Sequence, residues 1–377
     1  MRIAFYAPMK PPDHPVPSGD RRVARLLLSA MRRAGHQVRI ASRFRAFDKR
    51  GDGQRQNRIR RRGDQLARQF LDKHRADPPD LWFSYHLYHK APDWLGPPVS
   101  STLAIPYVVA EASVAPRQAD GPWSVGHDAV CHAVRCADRI LLLNPDDADC
   151  LTPLLDRPRR LVSMPPFIDT RPPRRAAALR TRHRAELAAQ LAIESDDIWI
   201  AVTAMMRDGD KLESYQLLGR AKRRLSGLPI RWLVAGDGPA RGAVETALGS
   251  DDVHYLGAIE PARIDALHAA ADIAVWPAIH EAFGMALLEA QAAGLPVVAG
   301  DMPGVAQIVR DGESGLLTPC GDDRMLADAV RRLAEAPDLR AAMGIAAMRK
   351  AEHEHDIAGA SSRIDRVLRD ALERRNP

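Results

Sequence analysis

Cysteine is scarce in this chain. Cys131, Cys136, Cys150 and Cys320 are the four among 377 residues, and none stands in a C-x-x-C pair. That spacing excludes a disulfide scaffold and the common zinc patterns, so reduced thiols and a cytoplasmic setting are expected. No run of about 18 apolar residues occurs, which excludes a conventional transmembrane helix. The opening MRIAFYAPMKPP is broken by proline too early for a signal peptide and reads instead as a first buried strand. Glutamate is missing from residues 1–110, yet those residues carry 21 Lys and Arg against 9 Asp, a balance of +12. The remainder balances at −6. The basic first part is expected to meet an anionic partner, a membrane surface or a lipid-linked phosphate. This would place the protein peripherally on the inner membrane face. Nucleic acid is not expected, because the arginines are not interleaved with aromatics in any recognisable module.

The length suggests two domains, and 46% hydrophobic content with 5% aromatics fits an α/β class. The most informative stretch is HEAFGMALLEAQAAGLPVVAG, residues 280–300. ADIAVWPAI before it and Val297–Ala299 within it read as buried parallel strands. Between them a helix opens near Phe283 and Gly284. Gly294 is placed to end it in a left-handed conformation, and Pro296 prevents its continuation. Glu281 then sits at a strand end, and free N–H groups at the helix start suit a phosphate. The dipole contributes only about 0.3–1 kcal/mol, enough to favour an anion without identifying it. Gly284 would let a diphosphate lie against backbone, with Met285 at the helix start. Glu289 is placed to accept hydrogen bonds from sugar hydroxyls.

This context resembles the family 4 glycosyltransferases of the GT-B fold, whose block reads P-S-x-x-E-G-F-G-x-x-x-x-E-A-x-A-x-G-x-P-V-V. Pro277, Glu281, Phe283, Gly284, Glu289, Ala290, Ala292, Gly294, Pro296, Val297 and Val298 match it. Ala278 replaces the usual Ser and Ala282 the usual Gly. The resemblance implies two Rossmann-like doubly wound domains facing a central cleft, and retaining transfer from a nucleotide-diphosphate sugar. It implies Glu281 on the sugar, Glu289 on the ribose, and Arg207 and Lys211 on the diphosphate, since fixed cations stabilise charge building on a leaving group. Met206 stands where the family has glycine.

In chain order, strand, loop with Gly19, helix and strand make a first doubly wound unit. Gly19 is expected to line the donor side of the cleft. Residues 44–64 read as a mobile loop or exposed helix start. His86 and His89 follow a strand at 80–85, and their i, i+3 spacing finds no third ligand nearby. Glu111 ends the strand 105–110, where the family often has histidine. Glu111 and His86 are assigned to the acceptor side. Domain limits are expected at 1–170, a linker at 171–195, a donor domain at 196–355 and a returning helix at 356–377. Asp208-Gly209-Asp210 and Asp147-Ala148-Asp149 are read as loop and capping residues, with no metal requirement and no cofactor. The reading is a retaining glycosyltransferase, acting on a glycan or lipid-linked acceptor in cell-surface polysaccharide or glycolipid synthesis. A sugar-nucleotide epimerase or sugar phosphorylase of the same fold, and an inactive nucleotide-sugar-binding partner, are the alternatives.

Overall fold

A computed structural model describes residues 1–194 and 196–374. The ends of two expected segments, residue 195 and residues 375–377, lie outside the described residues. The chain forms two compact units, Met1–Pro165 with the segment from Ile357 onward, and Pro166–Asp356.

Unit one is a six-stranded parallel sheet in the order β2-β1-β3-β4-β5-β6. Its strands are β1 (Arg2–Tyr6), β2 (Gln37–Ser42), β3 (Leu81–Leu87), β4 (Tyr107–Ala112), β5 (Arg139–Leu142) and β6 (Leu161–Ser163). The largely buried apolar runs of β1, β3, β4 and β5 suit a sheet covered on both faces. Phe5 pairs with Phe83 in register and their rings stack at 5.8 Å. The helix Gly19–Arg33 starts on Ser18, whose Oγ accepts from the Arg21 N–H at 3.2 Å. Residues 53–74 form one 22-residue helix, Gly53–His74, with Asp52 accepting from the Arg55 N–H at 3.1 Å. The stretch 44–64, expected to be a mobile loop or exposed helix start, is irregular over 44–52 and then begins this long exposed helix. The last helix, Ile357–Glu373, returns to this unit. Its Ser361 hydroxyl donates to Ala30 O at 2.8 Å, and Asp370 accepts from the buried Arg139 guanidinium at 2.7 Å.

Unit two repeats the plan in the order β12-β11-β10-β7-β8-β9, again all parallel. The strands are β7 (Ile198–Thr203), β8 (Ile230–Ala235), β9 (Val253–Gly257), β10 (Ile273–Trp276), β11 (Val297–Gly300) and β12 (Gly315–Thr318). The G-D-G-P turn after β8 needs its first glycine, because a Cβ on Gly236 would lie 1.8 Å from Ala204 O. Met206, in place of the family's glycine, is fully buried, and its backbone is held by Asp237 and Ala240.

The expected linker 171–195 is corrected by the structure. Helices Arg171–Ala177 and Arg180–Leu191 occupy it, belong to unit two and pack on the helix Pro261–Ala270. Two of its arginines share one partner: Arg180 and Arg184 both reach the Asp272 carboxylate, at 2.6 and 3.0 Å, and Arg184 also covers the Trp199 ring at 4.2 Å. The chain instead changes unit at Pro165–Pro166 and at Asp356–Ile357. On the unit-two side of these crossings, Ile168 N–H donates to His355 O at 2.9 Å and the Thr170 hydroxyl to Asp356 at 2.6 Å.

Asp93 anchors a buried polar network in unit one. Its carboxylate accepts from the N–H groups of Leu95 and Gly96, both at 2.8 Å, from Tyr107 hydroxyl at 2.9 Å, and from Ser84. Burial pushes this carboxyl up, against those donors. Asp93→Ala would strand all four donors in the core, at a cost of about 3 kcal/mol. Urea unfolding followed by fluorescence should show a midpoint well below wild type; an unchanged midpoint would remove the network from the account of stability.

Candidate functional site

In unit two the helix after β7, Asp210–Arg223, leads to β8, on one side of β7. The helix after β10, Met285–Ala292, leads to β11, on the other side. Adjacent strands whose connections leave in opposite directions open a crevice at their carboxyl ends, the usual ligand position in such sheets. Arg207 and Lys211 follow β7, and Glu281, Phe283, Gly284 and Met285 follow β10, so six of the expected residues border one crevice.

Lys211 Nζ donates to Glu281 Oε2, which also accepts from the Trp276 indole N–H at 3.1 Å. The Lys211 ammonium lies 5.0 Å from the centroid of the same indole ring. The cation assigned to phosphate and the carboxylate assigned to sugar are thus one ion pair, and Trp276 fixes both. Beside it His280 Nδ1 lies 3.0 Å from Asp210 Oδ1. Asp210, Glu213 and His280, all exposed, place ligand atoms within 4.8 Å of one another, close enough to hold a metal ion.

Gly284 precedes the helix with φ +67°, a region that disfavours any side chain. Phe283 is buried beneath it and Met285 half-buried. Leu287 to Ala293 are buried without interruption, so the helix is enclosed rather than amphipathic. Glu289, 5% exposed, lies on its second turn. Gly294 has φ +76° and donates its N–H to Gln291 O, ending the helix as expected.

Unit one carries a second group, at the carboxyl ends of β3 and β4. His86 and Glu111 both have left-handed backbones, at φ +62° and +59°. Asp20, one residue into the helix Gly19–Arg33, places Oδ1 2.9 Å from His86 Nδ1. Glu111 Oε1 is 3.8 Å from the same nitrogen. Burial alone would lower the His86 pKa, but Glu111, Asp20 and Asp147 outweigh it and raise it to about 9. Burial raises the Glu111 carboxyl against the attraction of His86 and the Tyr85 hydroxyl. Gly19 lies in this unit at the first helical position, and a Cβ there would meet nothing within 4 Å, so no close contact in the structure demands glycine.

Residues 209–350 match the family model described as glycosyl transferases group 1. That segment is of the group 1 glycosyl transferase type. A D-inositol 3-phosphate glycosyltransferase of Saccharomonospora viridis is 32% identical over 290 residues, 72% of this chain and 64% of that one. The chain spans less than two thirds of the length of the curated relatives it matches, 49%, 54% and 64% for three of them. Among solved structures, a sucrose-phosphate synthase from Thermosynechococcus elongatus superposes with TM-score 0.73 at 19% identity, covering 99% of each chain. Anabaena HepE in complex with UDP-glucose gives 0.72 at 16% identity, covering 98% of this chain and all of that one. These likenesses show the fold, an α/β chain of GT-B type with two parallel sheets.

The group 1 segment contains Lys211, Glu281, Phe283, Gly284, Met285 and Glu289, whereas Arg207 and all of unit one lie outside it. Trp276, His280 and Glu213 carry no signature of their own and are not among the expected site residues. Asp210 and Asp147, expected as loop and capping residues, each open a helix beside a candidate group. Asp20 is not a motif residue either, and its partner His86 stands 66 positions away.

His86 gives a direct check on unit one. Its folded pKa of about 9 exceeds the ordinary value of about 6.5. Its pairing therefore stabilises fully below about pH 6.5 and is lost as pH rises through 9. An NMR titration should place the imidazole midpoint near 9, and Asp20→Asn should move it down; a wild-type midpoint below 7 would contradict the arrangement.

Proposed function

We propose that this chain is a retaining glycosyltransferase moving a sugar from a nucleotide-diphosphate sugar to a hydroxyl of a glycan or lipid-linked acceptor, in cell-surface polysaccharide or glycolipid synthesis. The observation that carries the proposal is the convergence of Arg207, Lys211, Glu281 and the 285 helix start at the unit-two switch point. Cations and free N–H groups at one crevice meet the need of a departing diphosphate. Lys211 then divides its donors between phosphate and Glu281, leaving the other Glu281 oxygen for a sugar hydroxyl. Glu289 serves the ribose from the second helical turn. The acceptor oxygen bonds to the anomeric carbon as the bond from that carbon to phosphate breaks on the same face. The acceptor proton passes to the leaving phosphate oxygen. Uridine diphosphate is the first nucleotide to try, since Anabaena HepE is described in complex with UDP-glucose. No described helix is long and apolar enough to cross a membrane. The exposed arginines of Gly53–His74, among them Arg58, Arg60, Arg61 and Arg68, support peripheral contact with an anionic membrane surface.

A thermal-shift panel of UDP, GDP and ADP and their sugars tests the donor site. A nucleotide at 100 times its Kd should stabilise the folded protein by about 2.7 kcal/mol. One nucleotide should raise the midpoint, and Glu289→Ala should reduce that rise; no rise with any of the three would end the donor assignment. In the reading offered here the cations and the helix start neutralise the diphosphate, so EDTA should leave transfer unchanged. Loss of transfer on chelation, restored by Mn²⁺, would instead give the metal role to Asp210, Glu213 and His280.

A further inference from the structure

Unit one is basic overall, yet the carboxyl ends of β3 and β4 are not. Asp20, Glu111 and Asp147 surround His86, and Asp146 adds charge beside Asp147. The cations facing this group are His86 itself and Lys10, which lies near Asp20. Arg45 faces Tyr88 and donates to Met9 O. Four carboxyl groups thus share two close cations.

Glu111 sets this group apart from ordinary surface acidity. It is the sole glutamate before residue 186, so acidic surface in this region is built from aspartate. Its side chain is 11% exposed; the Tyr85 hydroxyl lies close enough to the carboxyl to hold its pKa down, but the buried Oε2 has no donor at full hydrogen-bond geometry among the described residues. A buried carboxylate oxygen without a donor is costly, by about 1–3 kcal/mol. Asp147, half-buried at the first position of the helix Asp147–Leu151, is engaged by Ser113. Asp20 and His86 reach solvent beside them, at 24% and 19% exposure. The group also lies where connections part: the helix after β1 leads to β2, while β3 continues the sheet on the opposite side of β1.

We propose that this site recognises an acceptor bearing a protonated amine next to the attacked hydroxyl, an amino sugar or aminocyclitol, and disfavours a phosphate there. The inference rests on the glycosyltransferase reading, with unit one as the acceptor side. The ammonium binds among Glu111, Asp147 and Asp20 and donates to Glu111 Oε2. It is not the nucleophile: the neighbouring hydroxyl forms the new bond to the anomeric carbon, the carbon–phosphate-oxygen bond breaks, and the hydroxyl proton leaves on the diphosphate. The basic helix Gly53–His74 and this acidic group then have different tasks, one toward a surface and one toward an acceptor.

Calorimetric titration of the full chain, saturated with whichever nucleotide raises its midpoint, should compare glucosamine, glucose and glucose 6-phosphate. Glucosamine should bind about tenfold more tightly than glucose, the scale of one charge-assisted hydrogen bond. Glucose 6-phosphate should bind more weakly than glucose. Asp147→Asn and Glu111→Gln should each shrink the amine preference several-fold while the nucleotide-induced thermal shift persists, which also shows that the variants fold. Equal binding of all three sugars, preference for the phosphate, or an amine preference untouched by both variants would overturn the inference. Failure of the donor reading looks different: the nucleotide shift itself would be missing.

Discussion

Both sheets run all their strands in one direction, and the rest of the molecule follows from that constraint. A parallel strand is joined to its neighbour by a crossover, and these crossovers share one hand. Where the order of strands reverses, consecutive connections must part to opposite sides, and the carboxyl ends between them stay uncovered. In unit two the parting falls between β10 and β7, in unit one between β1 and β3. Helix starts and strand-end side chains collect at both places without any further device. The fold therefore supplies a generic position, and the residues after each strand determine what can be done there.

The elements around residues 273–300 were legible because local chemistry dictates them. Two apolar runs bracket a helix whose glycines both take left-handed backbones, at 284 and 294. The pairing of Lys211 with Glu281 was not legible, because the two are 70 positions apart and meet through the order β10-β7. The same holds for Asp20 with His86. Residues 171–191 were misread for another reason. Their arginines resemble a solvated connection, but Arg180 and Arg184 find the Asp272 carboxylate and backbone carbonyls, a match that composition alone does not reveal.

Charge shows the difference between a segment and a site. The excess of +12 over residues 1–110 is real, and much of it stands exposed on Gly53–His74. Screening limits such surface charge to about a Debye length, roughly 8 Å at physiological salt. Asp20, Glu111 and Asp147 act on His86 at closer range and in partial burial, where screening is weaker, and they reverse the effect of burial on its pKa. A basic unit can thus present an acidic acceptor position, and the regional sum says little about it.

Backbone strain follows the same geography. Seven described residues other than glycine have left-handed φ. Ala104 and Ala192 cap helix C-termini, where that conformation is ordinary, and Asp252 lies in a turn. The remaining four, His86, Glu111, Ala278 and His280, lie at or just after the carboxyl ends of β3, β4 and β10. Each costs on the order of 1 kcal/mol, and none closes a helix. Stability alone would favour glycine or asparagine at such positions. Three of the four instead carry a titratable side chain, and each of those three faces a charged partner. The strain is better explained by side-chain placement at the two strand-end groups than by folding, which ties the donor and acceptor assignments to the same physical cause.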